Sequence, residues 1–111
     1  MPIFEPGAVV RLPFPYPDGT AMQHRPALVL ATIGPAQDAF LPWVLMITSA
    51  QGRTWPQDVA IPDHHATGLP AASVVRCAKV ATVDAALAEV KGGVPGDVLA
   101  MVRRQVLAIL G

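Results

Sequence analysis

Cysteine, charge and long apolar runs are what this chain has least of. Its one cysteine, Cys77, cannot close an internal disulfide and suits a reducing compartment. No apolar run is long enough to cross a bilayer and no basic-then-apolar leader follows Met1, which predicts a cytoplasmic protein with no membrane partner. Charged residues are only 14% of the chain, and eight basic side chains balance eight acidic ones. A zero net charge speaks against nucleic-acid binding by overall charge. Distribution counts for more than the total: Arg11, Arg25, Arg53, Arg76 and Lys79 all fall in the strand-rich part of the chain, which leaves room for a local positive groove. No histidine or cysteine stands at metal-ligand spacing, because His64 and His65 are adjacent and diverge on an extended chain. Neither a metal nor another cofactor is expected. Repeats and low-complexity tracts are also missing.

Apolar surface is what the chain has in excess. Apolar residues are 52% of 111, the high end for a domain that can bury about two-thirds of its unfolded surface. One domain over residues 1–111 is expected, and the surplus predicts a homodimer.

Ala8–Leu12 reads as a first strand after the turn former Gly7. Pro13, Pro15 and Pro17 predict a long exposed loop over Phe14–Gln23. Pro26–Ala31 is a continuous apolar run, as in a central strand buried on both faces, with Pro26 at its start and Arg25 at the junction of loop and strand. Gly34–Asp38 reads as a turn, Leu41–Thr48 as a third strand, Gln51–Pro56 as a loop and Asp58–Ile61 as a short strand. Pro62–Leu69 is a loop bending at Gly68. Ser73–Arg76 and Lys79–Val83 are two strands or one bent one, and Asp84 caps a helical turn through Leu87. From Pro95 the period changes: Val98, Leu99, Val102, Val106, Ile109 and Leu110 form one helical face. Trp43 reads as core and Cys77 as a small buried hydrophobe. The sum is mainly β with a C-terminal helix, a small curled antiparallel sheet.

Arg25 could be a surface arginine paired with a carboxylate. Its fixed fork of donors also suits a phosphate and the added charge of a phosphoryl transition state, and a rigid strand beside an open loop is a good base for a site. Thr48 and Ser49 end an apolar strand, where their hydroxyls either bond to backbone or, for Thr48, face a phosphate near Arg25. Ser49 points the other way along the strand and is at most a helper. His24 is an ordinary loop histidine or a proton acceptor working near neutral pH. Tyr16, Trp43 and Trp55 could stack on bases, with Trp55 the better placed, while Gln23, Arg53 and Lys79 are further candidates for contact with RNA.

The stretch Phe14-Pro15-Tyr16-Pro17-Asp18-Gly19 and, five residues later, Arg25-Pro26-Ala27-Leu28-Val29-Leu30 resemble the MazF/PemK family, as do Ile47-Thr48-Ser49 and Ser73-Val74-Val75-Arg76. The resemblance runs from about Pro6 to Gly111 and is most specific in the loop and the Arg-Pro-Ala-Leu-Val segment. It implies an SH3-like small barrel, the fold shared with CcdB-type toxins, and the toxin half of a type II toxin–antitoxin pair. Such a toxin cleaves single-stranded messenger RNA without a metal and binds a cognate antitoxin protein. By position, the resemblance assigns catalysis to Arg25, Thr48 and Arg76. Val74-Val75-Arg76-Cys77-Ala78 is similar to a Val-Val-Arg-Cys-Asp segment of the PemK branch, but Ala78 stands where that branch has a catalytic aspartate, and a methyl group cannot accept a proton. A gyrase-poisoning branch shares the fold, so the alternative is a non-catalytic binder or an antitoxin-binding decoy.

Overall fold

A computed structural model describes residues 4–15, 22–36, 39–62, 65 and 67–111. The elements are β1 (Ala8–Pro15), β2 (Met22–Ala36), β3 (Ala39–Ser49), β4 (Asp58–Ile61), β5 (Ser73–Thr82), a 3₁₀ turn (Ala85–Leu87), β6 (Glu89–Gly93) and α1 (Gly96–Leu110). The strands form one antiparallel sheet in the order β4-β5-β3-β2-β1-β6, curled into half a barrel. This is the expected small SH3-like sheet followed by one helix.

Both faces of the central strands are buried, which is why their sequence runs apolar without a break. On one face Val9, Leu28, Leu45, Ile47 and Val75 pack with Val98 and Val102 of α1. On the other Val10, Leu12, Ala27, Val29 and Val44 pack with Phe4, Ala81, Val83 and Ala88. Neighbouring residues such as Val9 and Val10 therefore serve different cores, as the two-residue period of a strand requires.

The prolines behave differently from the reading of the sequence. Phe14, Pro15, Met22 and Gln23 are strand rather than loop, paired as Phe14↔Gln23 and Pro15↔Met22. Pro26 lies inside β2 rather than at its start, and Arg25 is a strand residue opposite Leu12. The reason is which edge each nitrogen faces. Pro13 and Pro15 are two apart, so both nitrogens face one edge of β1, and the pairing with β6 ends at Arg11, leaving that edge open. Arg11↔Pro26 lies two steps along from Pro13↔His24 and is the same, non-hydrogen-bonded kind of pair. The Pro26 nitrogen therefore faces the β3 side, where the β2–β3 pairing begins only at Ala27↔Met46. None of the three prolines costs a bond of the β1–β2 ladder.

Other expectations need smaller changes. The turn after β2 is shorter than Gly34–Asp38, since β2 runs to Ala36 and β3 starts at Ala39; Gln37 and Asp38 lie outside the described residues. Segments 73–76 and 79–83 are one bent strand: between Ile47↔Val75 and Leu45↔Val80, β5 takes five steps against two on β3. β6 was not foreseen, because Glu89-Val90-Lys91-Gly92-Gly93 has little apolar content; it pairs only with β1. Its glycines are needed for a close crossing: a Cβ on Gly92 would stand 2.6 Å from the Thr67 carbonyl oxygen. Gly68 bends the crossing loop with φ +76°. On α1, Val98 and Val102 are buried, but Ile109 and Leu110 are exposed. Trp43 is 44% exposed and not core; Val44 and Leu45 take the two inward positions.

Candidate active site

Beyond Ala27↔Met46 the strands β2 and β3 part. Pro26 has no N–H to carry the ladder further. Continued past that point, the same register would set Arg25 opposite Thr48 and His24 opposite Ser49. The gap is a cleft of about 310 Å³ lined by these four residues together with Pro26, Ile47 and, from the loop before β5, Pro70 and Ala71. Three sequence segments far apart in the chain thus meet at one open seam.

Arg25 is half-buried in this cleft and has no hydrogen bond or ion pair among the described residues. Among the described residues no carboxylate pairs with Arg25. Thr48 is also half-buried, and its hydroxyl has no partner among the described residues. Ser49 is committed: its Oγ accepts from the Gln51 backbone N–H at 3.2 Å, opening the turn after β3. His24 is exposed at the cleft edge. A guanidinium and a hydroxyl that line one cleft, each without a partner among the described residues, can bind a tetrahedral anion.

Arg76 is not among the residues lining this cleft. Its Nε and Nη2 donate to the two carboxylate oxygens of Asp58 at 3.3 and 3.1 Å, and Nη2 donates to the Arg53 carbonyl at 2.6 Å. The guanidinium also stacks over the Trp55 ring, 4.3 Å from its centroid. Asp58, whose side chain is 3% exposed, accepts in addition from the Trp55 backbone N–H. Arg76 therefore ties the 51–57 loop to β4, and one face of Trp55 is already covered. Arg53 and Lys79 are exposed and line neither this cleft nor the groove beside it. Ala78 is exposed in the bend of β5. Gln23 pairs with Phe14 in the sheet, and Tyr16 and His64 lie outside the described residues.

Asp58 was missed in the sequence, though it is the sole carboxylate between Asp38 and Asp63. Its pairing with Arg76 needs the antiparallel register of β4 on β5, Asp58↔Arg76. Cys77 is buried as expected, and desolvation together with the nearby Asp58 charge pushes its thiol up to about 11. It is protonated at neutral pH and offers no nucleophile. Among the described residues, no three His, Cys, Asp or Glu side chains come together as a metal site, and no helix is long and apolar enough to cross a membrane.

The family described as PemK-like, MazF-like toxin of type II toxin–antitoxin system matches residues 5–110. No curated protein matches the chain. Among solved structures it is similar to MazF (Form-I) from Deinococcus radiodurans, with 29% identity, a TM-score of 0.73 and coverage of 100% of this chain and 99% of that one. A MazE–MazF structure (Form-I) from the same organism is 30% identical with a TM-score of 0.71, covering 100% of this chain and 99% of that one. A second MazE–MazF structure (Form-II) is 28% identical, TM-score 0.71, with 100% and 98% covered.

Proposed function

Because this chain belongs to the PemK-like, MazF-like toxins of type II toxin–antitoxin systems, we propose that it is a cytoplasmic endoribonuclease that cuts single-stranded RNA without a metal and so arrests growth. The observation that carries the reading is the meeting of Arg25 and Thr48, both without partners among the described residues, at the parted end of β2 and β3. In this reaction the ribose 2′-oxygen attacks the adjacent phosphorus. The new O2′–P bond forms as the P–O5′ bond breaks, leaving a 2′,3′-cyclic phosphate and a free 5′-hydroxyl. One proton leaves the 2′-hydroxyl and one reaches the departing 5′-oxygen. Arg25 stabilises the added negative charge on the phosphorane, and Thr48 orients the phosphate by a hydrogen bond. An arginine is too weak an acid for unaided proton transfer; His24, on the cleft edge, supplies an imidazole, the side chain suited to moving protons near neutral pH. Arg76 serves as a positioning residue through its loop, since its donors are already taken by Asp58 and Arg53.

The partner we propose is a separate antitoxin protein, supported by the MazE–MazF assemblies among its structural neighbours. The test is incubation of the purified protein, in EDTA, with a single-stranded RNA pool. Fragments ending in cyclic phosphate are expected. Arg25→Ala and Thr48→Ala should each slow cleavage by ~100-fold or more, as loss of one preorganised donor does. A wild type that cuts no RNA but inhibits gyrase would show a protein that acts by binding alone.

A further inference from the structure

A second and larger cavity, about 520 Å³, adjoins the cleft and shares His24, Pro26 and Pro70 with it. Its floor is apolar: Val9, Pro26, Leu69 and Pro70. Its rim is cationic: Arg11 on β1, His24 on β2 and Lys91 on β6. The register explains the convergence. Arg11↔Pro26 and Pro13↔His24 put Arg11 and His24 on one face as diagonal neighbours, within reach of one another for long side chains. The loop through Gly68 crosses close over β6 and forms the opposite wall. Among the described residues no acidic side chain lines the groove. Glu89 stands opposite Arg11 in the β1–β6 register, and its carboxylate accepts from Lys91 Nζ at 2.9 Å, which holds Lys91 at the rim. Among the described residues, two permanent cations and an imidazole then face one carboxylate, a local positive excess in a neutral chain.

We infer that this groove holds the stretch of single-stranded RNA next to the cleaved bond, an inference that rests on the nuclease reading above. A cationic rim suits the phosphates of a single strand, and the apolar floor offers its base faces packing rather than aromatic stacking. Continuity favours RNA over an acidic protein segment: a strand whose phosphate sits between Arg25 and Thr48 passes His24 and Pro26 directly into the groove. Arg11 and Lys91 then each neutralise one phosphate outside the reacting centre. They act on binding more than on the chemical step.

The experiment measures affinity for a fluorescent, random-sequence 2′-O-methyl RNA pool, which the blocked 2′-oxygen protects from cleavage, over a series of sodium chloride concentrations. Each phosphate contact on a single strand contributes about 0.7 to the slope of log affinity against log salt. Arg11→Gln and Lys91→Gln should each flatten the slope by about 0.7, and the double variant by about 1.4. With cleavable RNA the double variant should raise KM and leave kcat nearly unchanged, since uniform binding is what it removes. Both side chains are exposed, and unchanged thermal melts would show that both variants fold. A wild type that cuts and binds RNA, with a double variant of unchanged slope, overturns the groove and leaves the nuclease reading standing. If the slope is unchanged but binding of a poly-glutamate peptide is lost, the groove belongs to an acidic protein segment instead. A wild type that neither cuts nor binds RNA removes both readings together.

Discussion

Arginines in this chain divide by what their donors already hold. Arg25 has no partner among the described residues, whereas Arg76 is bonded to Asp58 and to the Arg53 carbonyl. Sequence weighs the two alike, because each stands at one end of an apolar strand segment. The same neighbourhood governs Cys77, whose thiol is held up at about 11 by burial and by Asp58, against 9.0 for an ordinary cysteine here. The folded state favours the protonated thiol, so this contribution to stability is complete below pH 9 and is lost as pH rises toward 11. Its size is roughly 3 kcal/mol, from two pKa units. Denaturant titrations of wild type and Cys77→Ala should differ by a constant amount up to about pH 9 and converge above it. A stability difference that stays constant to pH 11 would show that the thiol gains nothing from its surroundings.

At the scale of elements, two parted strands and the loop before β5 build the site. β2 and β3 separate because Pro26 turns a nitrogen without hydrogen toward β3. The 51–57 loop is held by Arg76 and Asp58, with Gln57 at φ 65°, a strained value for a residue with a Cβ. Arg76→Ala leaves the Asp58 carboxylate buried without its counter-charge. Such a loss costs about 3 kcal/mol, where a surface pair would cost less than about 1. Urea unfolding of Arg76→Ala against wild type separates the two, and a change below about 1 kcal/mol would mean that the pair is no more than a surface contact. Arg76→Lys should recover little of the loss, because an ammonium cannot make both bonds to the carboxylate and stack on Trp55.

On the scale of the whole molecule, the surplus of apolar residues is left partly on the outside. Trp43 is 44% and Val80 57% exposed, together at the edge of a shallow hollow with Ala81 and Thr82. Leu107 and Leu110 of α1 are 66% and 76% exposed. A second copy of the chain is expected to cover part of this surface, removing at least ~1,200 Å² from water as a stable interface does. Sedimentation at micromolar protein should give a dimer whose affinity falls with Trp43→Ala. A species of 11.6 kDa would refute it.

The sequence alone determined the elements whose signal is local. The two-sided burial of β2 followed from an unbroken apolar run, the helix from its period after Pro95, the 3₁₀ turn from Asp84, and β4 from four residues whose bounds were read correctly. Arg25 and Thr48 were legible as candidates because each stands at the polar end of an apolar strand, and a family resemblance joined them. Only the tertiary structure decided what depends on register and on which edge a strand leaves open. It made Pro13, Pro15 and Pro26 strand residues, paired Asp58 with Arg76, and brought β6 with Lys91 beside Arg11. A proline's missing N–H and an arginine's free donors acquire a meaning only when the neighbouring strand is in place, because each is defined by the partner it has or lacks.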